Sequence, residues 1–122
     1  MKILIEQILA NERIIFSSKF GKGIATWRGD ERKYKEYEVE VDIEDDLIWG
    51  KSIKQSSQKV PLISTDGEMS NFIGIFESID TDGYSVLRIG NSIISFFANG
   101  HAFEIGSMIE ISTNNVIMTP YD

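Results

Sequence analysis

The sequence predicts an all-β fold: a single small antiparallel barrel of the OB-like or SH3-like kind, with at most one or two short helical turns. Three observations carry that expectation. Short segments rich in Ile, Val, Phe, Tyr and Thr alternate with Gly, Asn and Asp turn residues. One segment alternates strictly between apolar and acidic side chains, the period of a half-buried strand. No stretch sustains a long helical period. Several short strands in 122 residues must also hide their edges, and a closed or partly closed barrel does this around one core. With 42% hydrophobic and 25% charged residues, positions 1–122 read as one domain with enough apolar mass to fold without a metal or disulfide staple.

In chain order, Ile3 to Ala10 fits a strand, although Ile5, Ile8 and Leu9 also satisfy a short helix. Arg13 to Phe20 and Ile24 to Arg28 flank Gly21-Lys22-Gly23, which reads as a three-residue hairpin connection. This Gly-x-Gly is turn chemistry and not a phosphate loop, because a third glycine and a following helix are missing from the pattern. From Tyr37 to Ile43 the alternation is strict: Tyr37, Val39, Val41 and Ile43 face one way, Glu38, Glu40 and Asp42 the other. Glu44-Asp45-Asp46 before Leu47-Ile48-Trp49-Gly50 suits the start and end of one short helix, or a wide turn. Lys51 to Ser70 is the most loop-like region, with a short strand expected at Val60 to Ser64. Phe72 to Ile79, Tyr84 to Ile89 and Ser92 to Phe97 read as an antiparallel meander turning at Asp80-Thr81-Asp82-Gly83 and Gly90-Asn91. The chain closes with Ser107 to Ser112, a turn at Asn114-Asn115, and Val116 to Thr119.

The composition narrows the chemistry. With no cysteine, disulfides and thiol nucleophiles are excluded, and a cytoplasmic, reducing compartment is expected. The run Met1-Lys2-Ile3-Leu4-Ile5 is broken by Glu6, too short for a signal peptide core or a membrane span. The single histidine, His101, follows Asn99-Gly100 and reads as a solvated loop residue, so zinc has no ligand set. Asp80-Thr81-Asp82-Gly83 resembles the start of a calcium loop, but the closing glutamate would fall at position 91, which is Asn91. Without a nucleophile, metal or phosphate motif, the chain is expected to bind rather than to catalyse, with no cofactor.

Charge is the distinctive feature. The net charge is −7, which repels nucleic acid and anionic lipid. Seven of the 19 acidic residues, Glu36, Glu38, Glu40, Asp42, Glu44, Asp45 and Asp46, fall between positions 36 and 46 with no basic residue among them. The other 12 match the 12 Lys and Arg in number, so one strand and its following turn supply the whole surplus. Alternate strand residues lie about 6 to 7 Å apart on one face and repel one another unless solvated or paired. Lys33, Lys35 or neighbouring basic residues offer internal pairing. The other reading is a docking face for a basic protein, with Trp49 as an aromatic anchor and Tyr37 assigned to the core. A different surface is aromatic: Phe72 and Phe76, with Trp27 and Arg28, would stack bases or sugars if exposed, although burial in the core is the simpler fate of such rings.

Three stretches carry a resemblance: Phe16-Ser17-Ser18-Lys19-Phe20-Gly21; the Tyr37 to Asp42 strand with Trp49-Gly50; and Leu87-Arg88-Ile89-Gly90-Asn91-Ser92-Ile93-Ile94. Together they resemble a loosely defined group of small bacterial proteins with OB-like barrels. Some similar acidic proteins are immunity factors that neutralise a toxin, and the resemblance therefore implies a protein-binding role. The expected function is a module engaging a basic protein, a toxin among them, through residues 36–46 and Trp49. The alternatives are a barrel binding oligosaccharide or single-stranded nucleic acid, or a structural subunit self-associating through a sheet edge.

Overall fold

The computed structural model describes residues 1–30 and 35–121. They form thirteen strands and no helix. In order these are β1 (Lys2–Ile8), β2 (Arg13–Ser18), β3 (Gly21–Trp27), β4 (Glu36–Ile43), β5 (Leu47–Ile48), β6 (Ile53–Gln55) and β7 (Leu62–Thr65). There follow β8 (Ser70–Ile79), β9 (Ser85–Ile89), β10 (Ser92–Phe96), β11 (Ala98–Asn99), β12 (Met108–Thr113) and β13 (Val116–Pro120). Of the segment Ile3 to Ala10, residues up to Ile8 are strand and not helix, with Leu9 and Ala10 beyond its end, and the expected meander is β8–β9–β10.

Pairing closes on itself through eight strands, β1-β2-β3-β7-β8-β9-β10-β4 and back to β1, so the all-β barrel expected from the sequence is present. β13 lies across this ring, parallel to β3 through Ile117 and Met118 and antiparallel to β4 from Val116 to Pro120. β12 and β6 extend the sheet from the far edge of β8. Most pairings are antiparallel, but β3–β7, β3–β13, β4–β10 and β5–β11 are parallel. Those four join segments far apart in the chain, and hairpin signals between sequence neighbours do not register such partners.

The outer edge of β3 shows how the ring shuts. Its backbone groups are satisfied in turn by β7, by one hydroxyl and by β13. Ile63 N–H donates to the Phe20 carbonyl (2.9 Å) beside the Gly21–Ile63 pair. Ile24 N–H then donates to Ser70 Oγ, and the Ser70 hydroxyl donates to the Ile24 carbonyl, each at 2.9 Å. Ser70 is buried, and its hydroxyl stands in for a missing strand partner.

Three local expectations are corrected. The β2–β3 hairpin turns at Lys19-Phe20, with Ser18 opposite Gly21, so Gly21-Lys22-Gly23 is not the connection but the start of β3. Gly21 has φ +131°, and a Cβ there would overlap the Ile63 carbonyl oxygen, so the glycine is required by close approach of β7 rather than by a turn. Of the short helix or wide turn expected over Leu47 to Gly50, the helix is absent: β5 begins directly at Leu47, and a turn follows in which the Ile48 carbonyl accepts from Lys51 and Ser52 N–H, each at 3.0 Å. Ahead of β5, Asp45 Oδ1 accepts from Asp46 N–H (2.8 Å) and Oδ2 from the Thr113 hydroxyl (2.7 Å), which ties the acidic turn to β12 and not to a helix end. Within the loop-like region, β7 fills part of the expected strand, and β6 is an additional one that its single buried apolar residue, Ile53, did not announce.

The core is one continuous cluster spanning the ring, with Phe16, Trp27, Phe72, Phe76 and Phe96 among its largest fully buried side chains. Trp49 belongs to it: its ring centroid lies 4.9 Å from Phe76, 5.0 Å from Phe103 and 6.0 Å from Phe96.

Candidate functional site

β4 has the pattern its sequence predicts. Val39, Val41 and Ile43 are buried, Tyr37 is half-buried, and Glu36, Glu38 and Glu40 are exposed, with Asp42 partly covered. The strand is held on both edges. β1 pairs with residues 36–38 and β10 with 41–42 on one side, while β13 pairs with 39–43 on the other. The acidic row therefore sits on fixed backbone.

Its cross-strand neighbours are mostly uncharged. Lys2 stands opposite Glu38, Leu4 opposite Glu36, Thr119 opposite Glu40, and Ser95 and Ile117 flank Asp42. Two acidic residues find cations: Glu36 meets Lys2 Nζ at 3.2 Å and Glu38 meets the Met1 amino group at 3.6 Å. Among the described residues, no Lys or Arg nitrogen lies within 4 Å of Glu40, Asp42, Glu44, Asp45 or Asp46. Lys33, one of the internal partners expected from the sequence, lies outside the described residues, and Lys35 stands over the Tyr37 ring, 5.2 Å from its centroid.

Four of these carboxylates, Asp42, Glu44, Asp45 and Asp46, border a surface groove of about 520 Å³. One wall is the end of β4 and the turn after it, Asp42 to Asp46. The other is Ser95, Phe96 and Phe97 at the end of β10, with Tyr84 beside them. The Ser95 hydroxyl donates to Asp42 Oδ1, and the Asn115 side-chain amide donates to the Glu44 carbonyl at the mouth. Asp45 is spent on its turn, as described above. Tyr84 and Phe97 meet edge to face, centroids 5.6 Å apart, and Phe97 is 53% exposed. A second hollow of about 170 Å³ shares Asp42, Tyr84 and Ser95 and runs on to Glu40, Ile93 and Tyr121.

The structure separates the sequence-predicted candidates. It brings Asp42, Glu44, Asp45 and Asp46 to one groove and leaves Glu36 and Glu38 farther along the same strand. Trp49 is not at that surface: it is 7% exposed and packed among Phe76, Phe96 and Phe103, so its proposed role as an anchor is withdrawn. The stacking platform is likewise corrected. Phe72 and Phe76 are fully buried, Trp27 is 2% exposed and packs edge to face with Tyr37, and only Arg28 is exposed. Phe72 and Phe76 share the inward face of β8 while Ile73 and Ile75 take the other, where Ile75 is exposed; Ile79, expected on that outer face, lies beyond a register shift between Phe76 and Ser78 and does not continue the alternation. Tyr84 and Phe97 were missed. Phe96-Phe97 carried the signal, since two adjacent aromatics at a strand end must face opposite ways and only one can enter the core.

The chain matches no family model, no curated protein and no solved structure.

Proposed function

We propose that this chain is a protein-binding module that docks a basic protein on the outer face of β4 and the turn that follows it. The observation that supports the reading is the set of five carboxylates, Glu40, Asp42, Glu44, Asp45 and Asp46, with no Lys or Arg within 4 Å among the described residues. Fixed like charges repel at short range, and a cationic surface relieves them on contact while also speeding encounter. The likeness to small bacterial immunity factors gives the specific form of the proposal: a cytoplasmic immunity protein that neutralises a basic toxin. The contact set is Glu36, Glu38, Glu40, Asp42, Glu44 and Asp46.

The test is a triple charge reversal, Glu38→Lys, Glu40→Lys and Asp42→Lys. A partner captured from the native host on the wild-type protein is purified, and its affinity for both forms is measured across a salt series. Affinity for wild type falls as salt rises, and the triple variant loses at least about 100-fold at low salt, the scale of several close charge pairs. Equal affinity of the two forms, or no salt dependence, overturns the reading.

A further inference from the structure

We infer that the groove between the β4–β5 turn and the end of β10 seats an arginine side chain of the partner; this rests on the docking reading above and names the group that docking would place there. Phe97 keeps 53% of its surface exposed although Phe96, one residue earlier, is buried, and Tyr84 meets it edge to face on the same wall, centroids 5.6 Å apart. An edge-to-face pair leaves a ring face open, and a ring face attracts cations through its quadrupole. The same groove is lined by Asp42 and Asp46, whose carboxylates meet no Lys or Arg of this chain within 4 Å among the described residues. The Ser95 hydroxyl engages Asp42 Oδ1 and fixes the carboxylate, with Oδ2 left for a further donor.

Those two walls ask different things of a ligand. The carboxylates alone accept any cation. An exposed ring with carboxylates beside it in one groove selects a group that stacks by its face and donates from its edge, which a guanidinium does and an ammonium does not. The adjoining hollow along Glu40, Ile93 and Tyr121 continues the track in the direction of β4, so the arginine belongs to an extended segment whose next basic residue meets Glu40.

The experiment uses two synthetic peptides of equal length and charge, one alternating Gly and Arg and the other Gly and Lys, titrated by calorimetry against the full chain. The Arg peptide binds about 5- to 10-fold more tightly than the Lys peptide, the range of one desolvated cation–π contact. Phe97→Ala, at a half-exposed position that leaves the core intact, brings the Arg peptide down to the affinity of the Lys peptide. Glu40→Gln weakens both peptides alike. Salt-sensitive binding of both peptides with no preference for Arg, or a preference that survives Phe97→Ala, overturns the arginine seat and leaves basic docking standing. No salt-sensitive binding of either peptide overturns both.

Discussion

Replacing Ser70 with alanine tests how the barrel shuts. The hydroxyl is buried and makes two hydrogen bonds of 2.9 Å to the backbone of a residue 46 positions away, one as acceptor from Ile24 N–H and one as donor to Ile24 C=O. Alanine removes no core volume of note, so cavity formation is a minor contribution. What it leaves is an N–H and a C=O in the barrel wall with nothing to bind, each costing about 1 to 3 kcal/mol. Allowing for partial relaxation, the expected loss is about 2 to 4 kcal/mol. For a chain of 122 residues the unfolding entropy converts each kcal/mol into about 4 °C, so the melting temperature falls by about 8 to 16 °C. Hydrogen exchange adds a local readout, because the Ile24 amide should lose protection in the variant well beyond the loss seen at amides of the β8–β9 hairpin. A variant melting within about 2 °C of wild type, with Ile24 still protected, would show that the seam is held by something other than this hydroxyl.

Two further predictions concern a close backbone approach and an ion pair. Gly21→Ala meets both a φ of +131° and the Ile63 backbone, whereas Gly67→Ala meets a φ of +102° with open space around it. Strain alone costs about 1 to 3 kcal/mol, so the Gly67 variant bounds that share and the Gly21 variant should lose at least twice as much melting temperature; equal losses would refute the close-approach argument. Glu77 is held below its ordinary value of 4.5 by its hydrogen bond to Arg88, with burial opposing and the Arg88 charge assisting. A carboxyl lowered on folding stabilises above its unfolded value, and that contribution is lost as pH falls through the folded value. Glu77→Gln should therefore melt lower than wild type at neutral pH, by no more than a few degrees for so exposed a pair, and the gap should close below pH 4.5. A gap that persists in acid would refute the assignment.

What could be read from the sequence was what depends on local period. β4 followed from Tyr37 to Ile43 because one face is apolar and the other acidic, and β8 to β10 followed from strand runs joined by Asp-Gly and Gly-Asn turns. Of the short helix or wide turn expected after Glu44, the helix is absent: an acidic turn before an apolar run fits both geometries, and Asp45 is engaged by Thr113, 68 positions away, rather than by a helix end. Gly21 misled in the same way. Its positive φ was legible, but whether it served a turn or an approaching strand was decided by Ile63. The candidate site divides along this line too. The acidic row was plain, whereas the groove needed β10 laid parallel to β4, a pairing between segments more than fifty residues apart that no local pattern encodes.

The distribution of the seven acidic residues bears on why they are together at all. Charge serving solubility alone works best when spread, because spacing lowers self-repulsion. Here one residue, Asp45, is consumed by the turn, and Glu36 and Glu38 have cations nearby. Glu40 and Asp42 remain on the stretch of β4 paired with β13, Asp42 facing β10 on the other edge as well, and Glu44 and Asp46 follow in the turn that Asp45 ties to Thr113, so backbone hydrogen bonds and this side-chain tie set where the four stand. A partner would therefore meet carboxylates at set positions rather than a diffuse negative field. Recognition at set positions depends on where the partner's cations stand as well as on how many there are, so scrambling the order of basic residues in a bound segment should weaken it even at constant charge.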